Sequence, residues 1–171
     1  FIAYCSILTG QKIVNMNGTY DLDGDNMLEF VALELHPNKD IFPKLVRYYE
    51  IDADGYQTIM WEFIPPVALE GDFVDAKVGD VNGDGVPELV VVMNLTRFGD
   101  NNSPHVFIAT YDWDGTHFSE IPSASLDIGK ENKSLRCNNF QLLDQDADGE
   151  QEIVLSLGSP FRGFAIVGSS P

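Results

Sequence analysis

A nine-residue pattern that occurs three times in this chain constrains its fold more than any other feature. The copies are residues 21–29, 80–88 and 144–152, and each has oxygen-bearing side chains at positions 1, 3, 5 and 9. Position 6 is Asn26, Gly85 or Gly149, which are residue types that tolerate a positive φ and let the carbonyl of position 7 turn inward. The pattern therefore predicts three loops that each gather hard oxygen ligands around one divalent cation, calcium above all.

Up to three calcium ions are predicted, and each loop supplies the same kinds of ligand. The predicted side-chain ligands are Asp21, Asp23, Asp25 and Glu29 in the first loop, Asp80, Asn82, Asp84 and Glu88 in the second, and Asp144, Asp146, Asp148 and Glu152 in the third. The predicted carbonyl ligands are those of Met27, Val86 and Glu150. Two carboxylates about 4 Å apart repel each other by about 1 kcal/mol even in water. An ion would relieve this repulsion in each loop.

These loops differ from the EF-hand, which also begins with alternating acidic residues. An EF-hand needs a bidentate Glu at position 12 and a helix on each side. Position 12 is Ala32, Val91 or Leu155 in the three copies. The segments that follow the loops are apolar and rich in β-branched residues, which favours strands. Each loop is therefore predicted to lead into a strand.

The spacing of the loops predicts a repeated β-unit. Asp21 and Asp80 are 59 residues apart, and Asp80 and Asp144 are 64 apart. Asp-Gly turns at 54–55 and 114–115 predict a hairpin in each of the first two units. The predicted strands are 12–20, 28–35, 44–51 and 56–64 in unit one, 73–79, 88–94, 105–112 and 116–121 in unit two, and 138–143, 152–157 and 163–168 in unit three. Segments 36–43, 95–104 and 122–136 are predicted to be connections.

The predicted fold class is all-β, with about three four-stranded antiparallel units of the β-propeller type in a partial or assembling propeller. One repeat domain over residues 1–171 would contain blade 1 at 12–66, blade 2 at 67–122 and an incomplete blade 3 at 123–171. Residues 1–11 are predicted to form an N-terminal strand that could complete another blade; a signal-segment remnant is the alternative. Propellers have four to eight blades. Further blades or other subunits are therefore expected to cover the open edges.

The second copy resembles a known repeat. Residues 77–92, with the sequence KVGDVNGDGVPELVVV, are similar to an FG-GAP (VCBS-type) repeat, the calcium-bearing blade of integrin alpha-chain heads and of many bacterial surface and secreted proteins. The resemblance extends over residues 12–168. It implies a propeller that carries its ions in the loops between the first two strands of each blade. It also allows an alternative, in which the chain is a non-catalytic part of a polysaccharide-active enzyme.

Composition and the remaining motifs limit the functional classes. A net charge of −17 argues against nucleic acid as a partner, and no apolar stretch is long enough to cross a bilayer. The sequence has neither a histidine cluster at zinc spacing nor a nucleophile or phosphate-binding motif, so no catalytic residue is predicted. Whether Cys5 and Cys137 pair is left open.

The sequence thus favours a secreted, extracellular or periplasmic-surface location, where calcium is abundant. There the chain would act as a calcium-stabilised, non-catalytic interaction scaffold that binds a protein or glycan. A second alternative is an accessory packing subunit of a larger extracellular or membrane-associated complex.

Overall fold

The computed structural model describes residues 13–22, 24–35, 44–64, 70–96, 105–115, 117–120, 125–126, 136–158 and 163–168. These residues form twelve strands: β1 (Ile13–Tyr20), β2 (Leu28–Leu35), β3 (Lys44–Ile51), β4 (Gln57–Phe63), β5 (Glu70–Gly79), β6 (Glu88–Thr96), β7 (His105–Trp113), β8 (Phe118–Glu120), β9 (Ser125–Leu126), β10 (Arg136–Leu143), β11 (Glu152–Gly158) and β12 (Gly163–Val167). No helix occurs among these residues, and thus none that could cross a membrane.

The strands form three sheets in which every pair of neighbours is antiparallel. Sheet 1 has the order β1-β2-β3-β4, sheet 2 the order β5-β6-β7-β8, and sheet 3 the order β10-β11-β12. The predicted all-β fold class and its antiparallel units are confirmed, and the sheets are consistent with blades of a partial propeller. The predicted N-terminal strand at 1–11 lies outside the described residues, and the blade boundaries stay predictions.

One strand was not predicted. β9 lies in the segment 122–136, which was expected to be a connection, and it pairs with Val106 and Phe107 of β7. It contains only two residues, so it is too short to give the alternation of apolar and polar residues by which a strand is recognised in sequence. Its pairing depends on backbone hydrogen bonds to a distant strand.

Sheet 2 lies between the other two sheets and is buried on both faces. Along β6, Leu89, Val91 and Met93 belong to the core shared with sheet 1. Val90 and Val92 belong to a second core, shared with sheet 3. Because successive side chains of a strand point to opposite faces, a strand that is buried on both sides is apolar at every position. This arrangement explains the uninterrupted apolar run that follows the second loop.

Aromatic rings fill much of the core between sheets 1 and 2. Tyr48 of β3 packs against Trp113 and Phe118 of sheet 2, with ring centroids 5.3 Å and 4.9 Å away. Trp61 of β4 makes an edge contact with the same Phe118 at 5.4 Å. Such pairs contribute about 0.5–1.5 kcal/mol each beyond the burial of their area. They hold the first two sheets in one orientation.

The second core contains Phe140 and Leu155 of sheet 3, packed with Val90 and Ile108 of sheet 2. Cys137 is also buried there as a free thiol. Burial raises the pKa of this thiol to about 11. Cys5 lies outside the described residues.

The two outer sheet faces differ in how well they are covered. On the face of sheet 1 that points away from sheet 2, Phe30 and Ala32 are buried. Buried Glu34 on that face accepts a hydrogen bond from Tyr49 and forms a salt bridge of 2.9 Å with Arg47. On the outer face of sheet 3, by contrast, Phe164 is 78% exposed.

Candidate metal centres

The three acidic patterns lie at equivalent places in the three sheets. Loop 1 (residues 21–29) joins β1 to β2, loop 2 (80–88) joins β5 to β6, and loop 3 (144–152) joins β10 to β11. Each therefore connects the first two strands of its sheet, as the sequence predicted. The last ligand position begins β6 and β11 and is the second residue of β2.

The same hydrogen bonds shape all three loops. The carboxylate of position 9 accepts a hydrogen bond of 2.8 Å from the amide of position 2 in each copy. The donor and acceptor residues are Leu22 and Glu29, Val81 and Glu88, and Gln145 and Glu152. The carboxylate of position 5 accepts a hydrogen bond of 2.7–2.8 Å from the amide of position 7. The donor and acceptor residues are Met27 and Asp25, Val86 and Asp84, and Glu150 and Asp148. Short Asp and Asn side chains favour such bonds to nearby amides. These bonds turn the acidic side chains toward the inside of each loop.

The first ligand position closes each loop. Its carboxylate accepts a hydrogen bond from the amide of position 6. The N···O distances are 3.4 Å for Asn26, 2.9 Å for Gly85 and 3.1 Å for Gly149. All three of these residues have a positive φ, of 68°, 86° and 99°. The predicted turn at position 6 is therefore present in every copy.

A second turn in each loop is not among the sequence-based predictions. Position 4 also has a positive φ, of 76° at Gly24, 74° at Gly83 and 64° at Ala147. Glycine at position 4 of loops 1 and 2 was a sequence signal that could have revealed this turn. Ala147 hid it in the third copy, because an alanine rarely adopts this conformation.

The loops bring most of the predicted carboxylates together. One carboxylate oxygen from each member of a group lies within 4.8 Å of the others, and the groups are Asp21, Asp25 and Glu29, then Asp80, Asp84 and Glu88, then Asp144, Asp146 and Asp148. Asp23 lies outside the described residues. Asn82 is part of loop 2, where its Oδ1 accepts the amide of Asp84 at 2.9 Å. Glu152 does not belong to the third group, although it makes the position 9 hydrogen bond.

The closing glutamates of the first two loops are removed from solvent. Glu29 is 2% exposed and Glu88 is 1% exposed. Burial raises the pKa of Glu88 to about 7, and the charges of Asp84 and Asp80 act in the same direction, whereas the hydrogen bond from Val81 opposes them. Keeping a negative charge at this position is thus costly unless a cation is nearby.

Comparison with known families identifies the repeat. The model of the FG-GAP-like repeat matches residues 21–91. These residues carry an FG-GAP-like repeat. The match includes loops 1 and 2 and covers less than half of the chain, so loop 3 is assigned by its own pattern. Neither a search of curated proteins nor a search of solved structures found a significant match.

The donor chemistry of the three loops fits a hard cation. Every predicted ligand atom is an oxygen, and no histidine or cysteine occupies a ligand position. Calcium takes six to eight oxygen ligands in flexible arrangements, whereas magnesium demands near-ideal octahedral geometry and dehydrates reluctantly. Loops with several carboxylates, joined in loop 2 by the amide of Asn82, are therefore better suited to calcium.

Proposed function

We propose that this chain is a calcium-stabilised propeller module that acts as a non-catalytic interaction scaffold for a protein or glycan. The observation that supports this proposal most is the recurrence of the acidic loop. Three sheets each place a group of carboxylates at the same connection, within 4.8 Å of one another. Such groups repel, so the chain gains stability if a cation neutralises each of them.

The ion in each loop would be held by the predicted ligands. Side chains at positions 1, 3, 5 and 9 would supply carboxylate or amide oxygens, and the carbonyls of Met27, Val86 and Glu150 would complete the sets. When bound, the ion supplies positive charge that offsets the carboxylates and braces the connection between two strands. This role is structural, and ligand binding would take place on the surfaces that the braced sheets present.

A secreted, cell-surface or periplasmic location is part of the proposal. FG-GAP-like repeats typically occur in extracellular proteins. Loops of modest calcium affinity are filled where calcium is abundant, which is outside the cytosol. The charge of −17 also makes the chain a poor partner for nucleic acid.

A thermal melt tests the calcium part of the proposal. The chain is unfolded in calcium, in magnesium and in a chelator, and we expect the highest melting temperature in calcium. The stabilisation should be about 1.4 kcal/mol per site for each tenfold excess of ion over its dissociation constant. Asp84→Ala should reduce the calcium effect, whereas the matched change Asp72→Ala, at the other end of β5, should not. Equal melting temperatures in calcium and chelator would contradict the proposal.

One observation favours the packing-subunit alternative as a second candidate. Ile108 of sheet 2 pairs with Val92, and both are buried against sheet 3. In sheet 3 the residue equivalent to Ile108 is Phe164. It pairs with Ser156, which follows loop 3 at the same distance as Val92 follows loop 2. Phe164 is 78% exposed. The face of sheet 2 that carries Ile108 packs on sheet 3, whereas none of the described residues covers Phe164 on the corresponding face of sheet 3.

Native mass measurement tests this second candidate. The expected occupant of the open face, for the chain by itself, is a sheet of the same repeat type contributed by a second copy of the chain. Phe164→Asp should abolish an assembly that forms through this face, and Tyr56→Asp, at an exposed hairpin of sheet 1, is the matched control. Assembly that survives Phe164→Asp, or a chain that is monomeric at all concentrations, would count against this candidate.

A further inference from the structure

Loops 2 and 3 are attached to each other. The amide of Gln151, at position 8 of loop 3, donates a hydrogen bond to the carbonyl oxygen of Asp80, with an N···O distance of 2.8 Å. Asp80 is the first ligand position of loop 2. The residue equivalent to Gln151 in loop 2 is Pro87, which has no N–H group and cannot donate the same bond to loop 1. This backbone link is therefore particular to loops 2 and 3.

The acidic side chain of Glu150 lies against loop 2. A β-carbon built on Gly83 would lie 3.7 Å from both Cβ and Oε2 of Glu150. Gly83 is position 4 of loop 2, and its amide donates to Asp80 Oδ1 at 2.7 Å. These distances are ordinary van der Waals contacts, so Glu150 lies directly beside Gly83. A carboxylate from loop 3 thus lies close to the backbone that shapes loop 2.

Glu150 differs from the residues at its position in the other loops. Position 7 is Met27 in loop 1 and Val86 in loop 2, both apolar, and only loop 3 has an acid there. Loop 2 is also the loop with the fewest acidic ligands, because its position 3 is Asn82 where the other loops have aspartate. The extra carboxylate therefore lies beside the loop that lacks one.

We propose that Glu150 serves both loops, with its backbone as part of loop 3 and its carboxylate as the fourth negative charge of the loop 2 calcium site. The inference rests on the proposed function, because it assumes that loop 2 binds calcium. The amide of Glu150 donates a hydrogen bond of 2.8 Å to the Asp148 carboxylate, and the amide of Gln151 donates to the carbonyl oxygen of Asp80. These two bonds fix the backbone of Glu150 at the boundary between the loops. Glu150 is therefore a residue that raises the affinity of a site in the adjacent repeat.

A calcium titration followed by ¹H–¹⁵N NMR tests the inference loop by loop. The amides of Gly83 and Gly85 report on loop 2, because both donate to the Asp80 carboxylate. The amides of Asn26 and Gly149 report on loops 1 and 3 in the same way. Calcium chloride is added to the full chain, and the dissociation constant of each loop is read from its own signals.

Glu150→Gln keeps the size of the side chain and removes its charge. We expect the dissociation constant of loop 2 to rise by about three- to tenfold, as the loss of one nearby charge implies, and that of loop 1 to stay unchanged. Asp72→Asn is the matched control, because it removes one negative charge from the far end of β5. Adding Asn82→Asp to Glu150→Gln should restore the affinity of loop 2, since it returns a fourth acid to that loop.

The outcomes separate this inference from the proposed function. If Glu150→Gln shifts loop 2 no more than Asp72→Asn does, or if Asn82→Asp fails to restore affinity, the role of Glu150 is refuted while calcium binding stands. If calcium moves none of the loop signals in the unsubstituted chain at millimolar concentration, the proposed function itself is refuted. A variant that loses its dispersed spectrum is replaced by Glu150→Ala, for which the same loss of affinity is expected.

Discussion

Replacing Glu88 by glutamine should have opposite effects on stability with and without calcium. Glu88 is 1% exposed, and in the metal-free protein its pKa is raised from 4.5 to about 7 by burial first and by neighbouring carboxylates second. Each pKa unit corresponds to about 1.36 kcal/mol. A raised pKa means that the folded state binds this proton more tightly than the unfolded state. The folding advantage is then complete below about pH 4.5 and is lost as the pH rises through about 7.

The size of the effect follows from that shift. Keeping Glu88 ionised in the metal-free fold costs on the order of 3 kcal/mol above pH 7. Glutamine carries no charge and avoids this cost, and the raised pKa of Glu88 already includes the opposing effect of the hydrogen bond from Val81. The expectation is that Glu88→Gln raises the free energy of unfolding by up to about 3 kcal/mol in chelator at pH 8. In calcium the same change removes a ligand and lowers stability.

Urea denaturation measures the free energy of unfolding under four conditions, at pH 5 and pH 8 in chelator and at the same two pH values in calcium. The unsubstituted chain in chelator should lose stability between the two pH values more steeply than Glu88→Gln does. Asp72→Asn is the control, because it removes a carboxylate that is not buried. If Glu88→Gln shows the same pH dependence as the unsubstituted chain in chelator, or leaves the calcium effect unchanged, the reasoning is wrong.

Three further predictions concern the loops and the core. Ala147→Gly should stabilise the chain by about 1 kcal/mol, because glycine adopts a positive φ without strain, and Gly24→Ala at the equivalent position should destabilise it by a similar amount in the same urea assay. Gly79→Ala should cost about 1 kcal/mol, because a β-carbon there would overlap the ends of the Gln151 side chain in loop 3 and the Leu142 side chain in sheet 3, which must move aside, whereas Gly163→Ala has open space and should be nearly neutral. The Cys137 thiol, with its pKa raised to about 11, should react with a thiol reagent at pH 8 far more slowly in the native chain than in urea, measured in a Cys5→Ser background. Equal unfolding free energies for Ala147→Gly and Gly24→Ala, or for Gly79→Ala and Gly163→Ala, would contradict the first two predictions. Equal labelling rates of Cys137 in the native chain and in urea would contradict the third.

The parts of the fold that could be predicted from sequence are those governed by local patterns. The strands on both sides of each loop follow from acidic ligand positions that lead into apolar, β-branched runs. The hairpin between β3 and β4 follows from its Asp-Gly turn, where the amide of Gly55 donates to the carbonyl of Asp52 at 2.9 Å. Both features depend on residues close together in the chain, so a sequence pattern is sufficient to reveal them.

The parts that were missed depend on contacts between distant residues or on strain. Ala147 adopts a positive φ, as Gly24 and Gly83 do at the same position of their loops, and its residue type gives no sign of this. The placement of Glu150 beside Gly83 depends on how sheets 2 and 3 pack, which a repeat period does not specify. The short strand β9 likewise depends on pairing with β7.

The most direct test of the account is a crystal structure of the chain grown in calcium, with anomalous scattering used to locate the ions. Three anomalous peaks are expected, one among the carboxylates of each loop. Peaks that are absent from all three loops, or that lie elsewhere on the molecule, would contradict the claim that calcium neutralises these acidic connections.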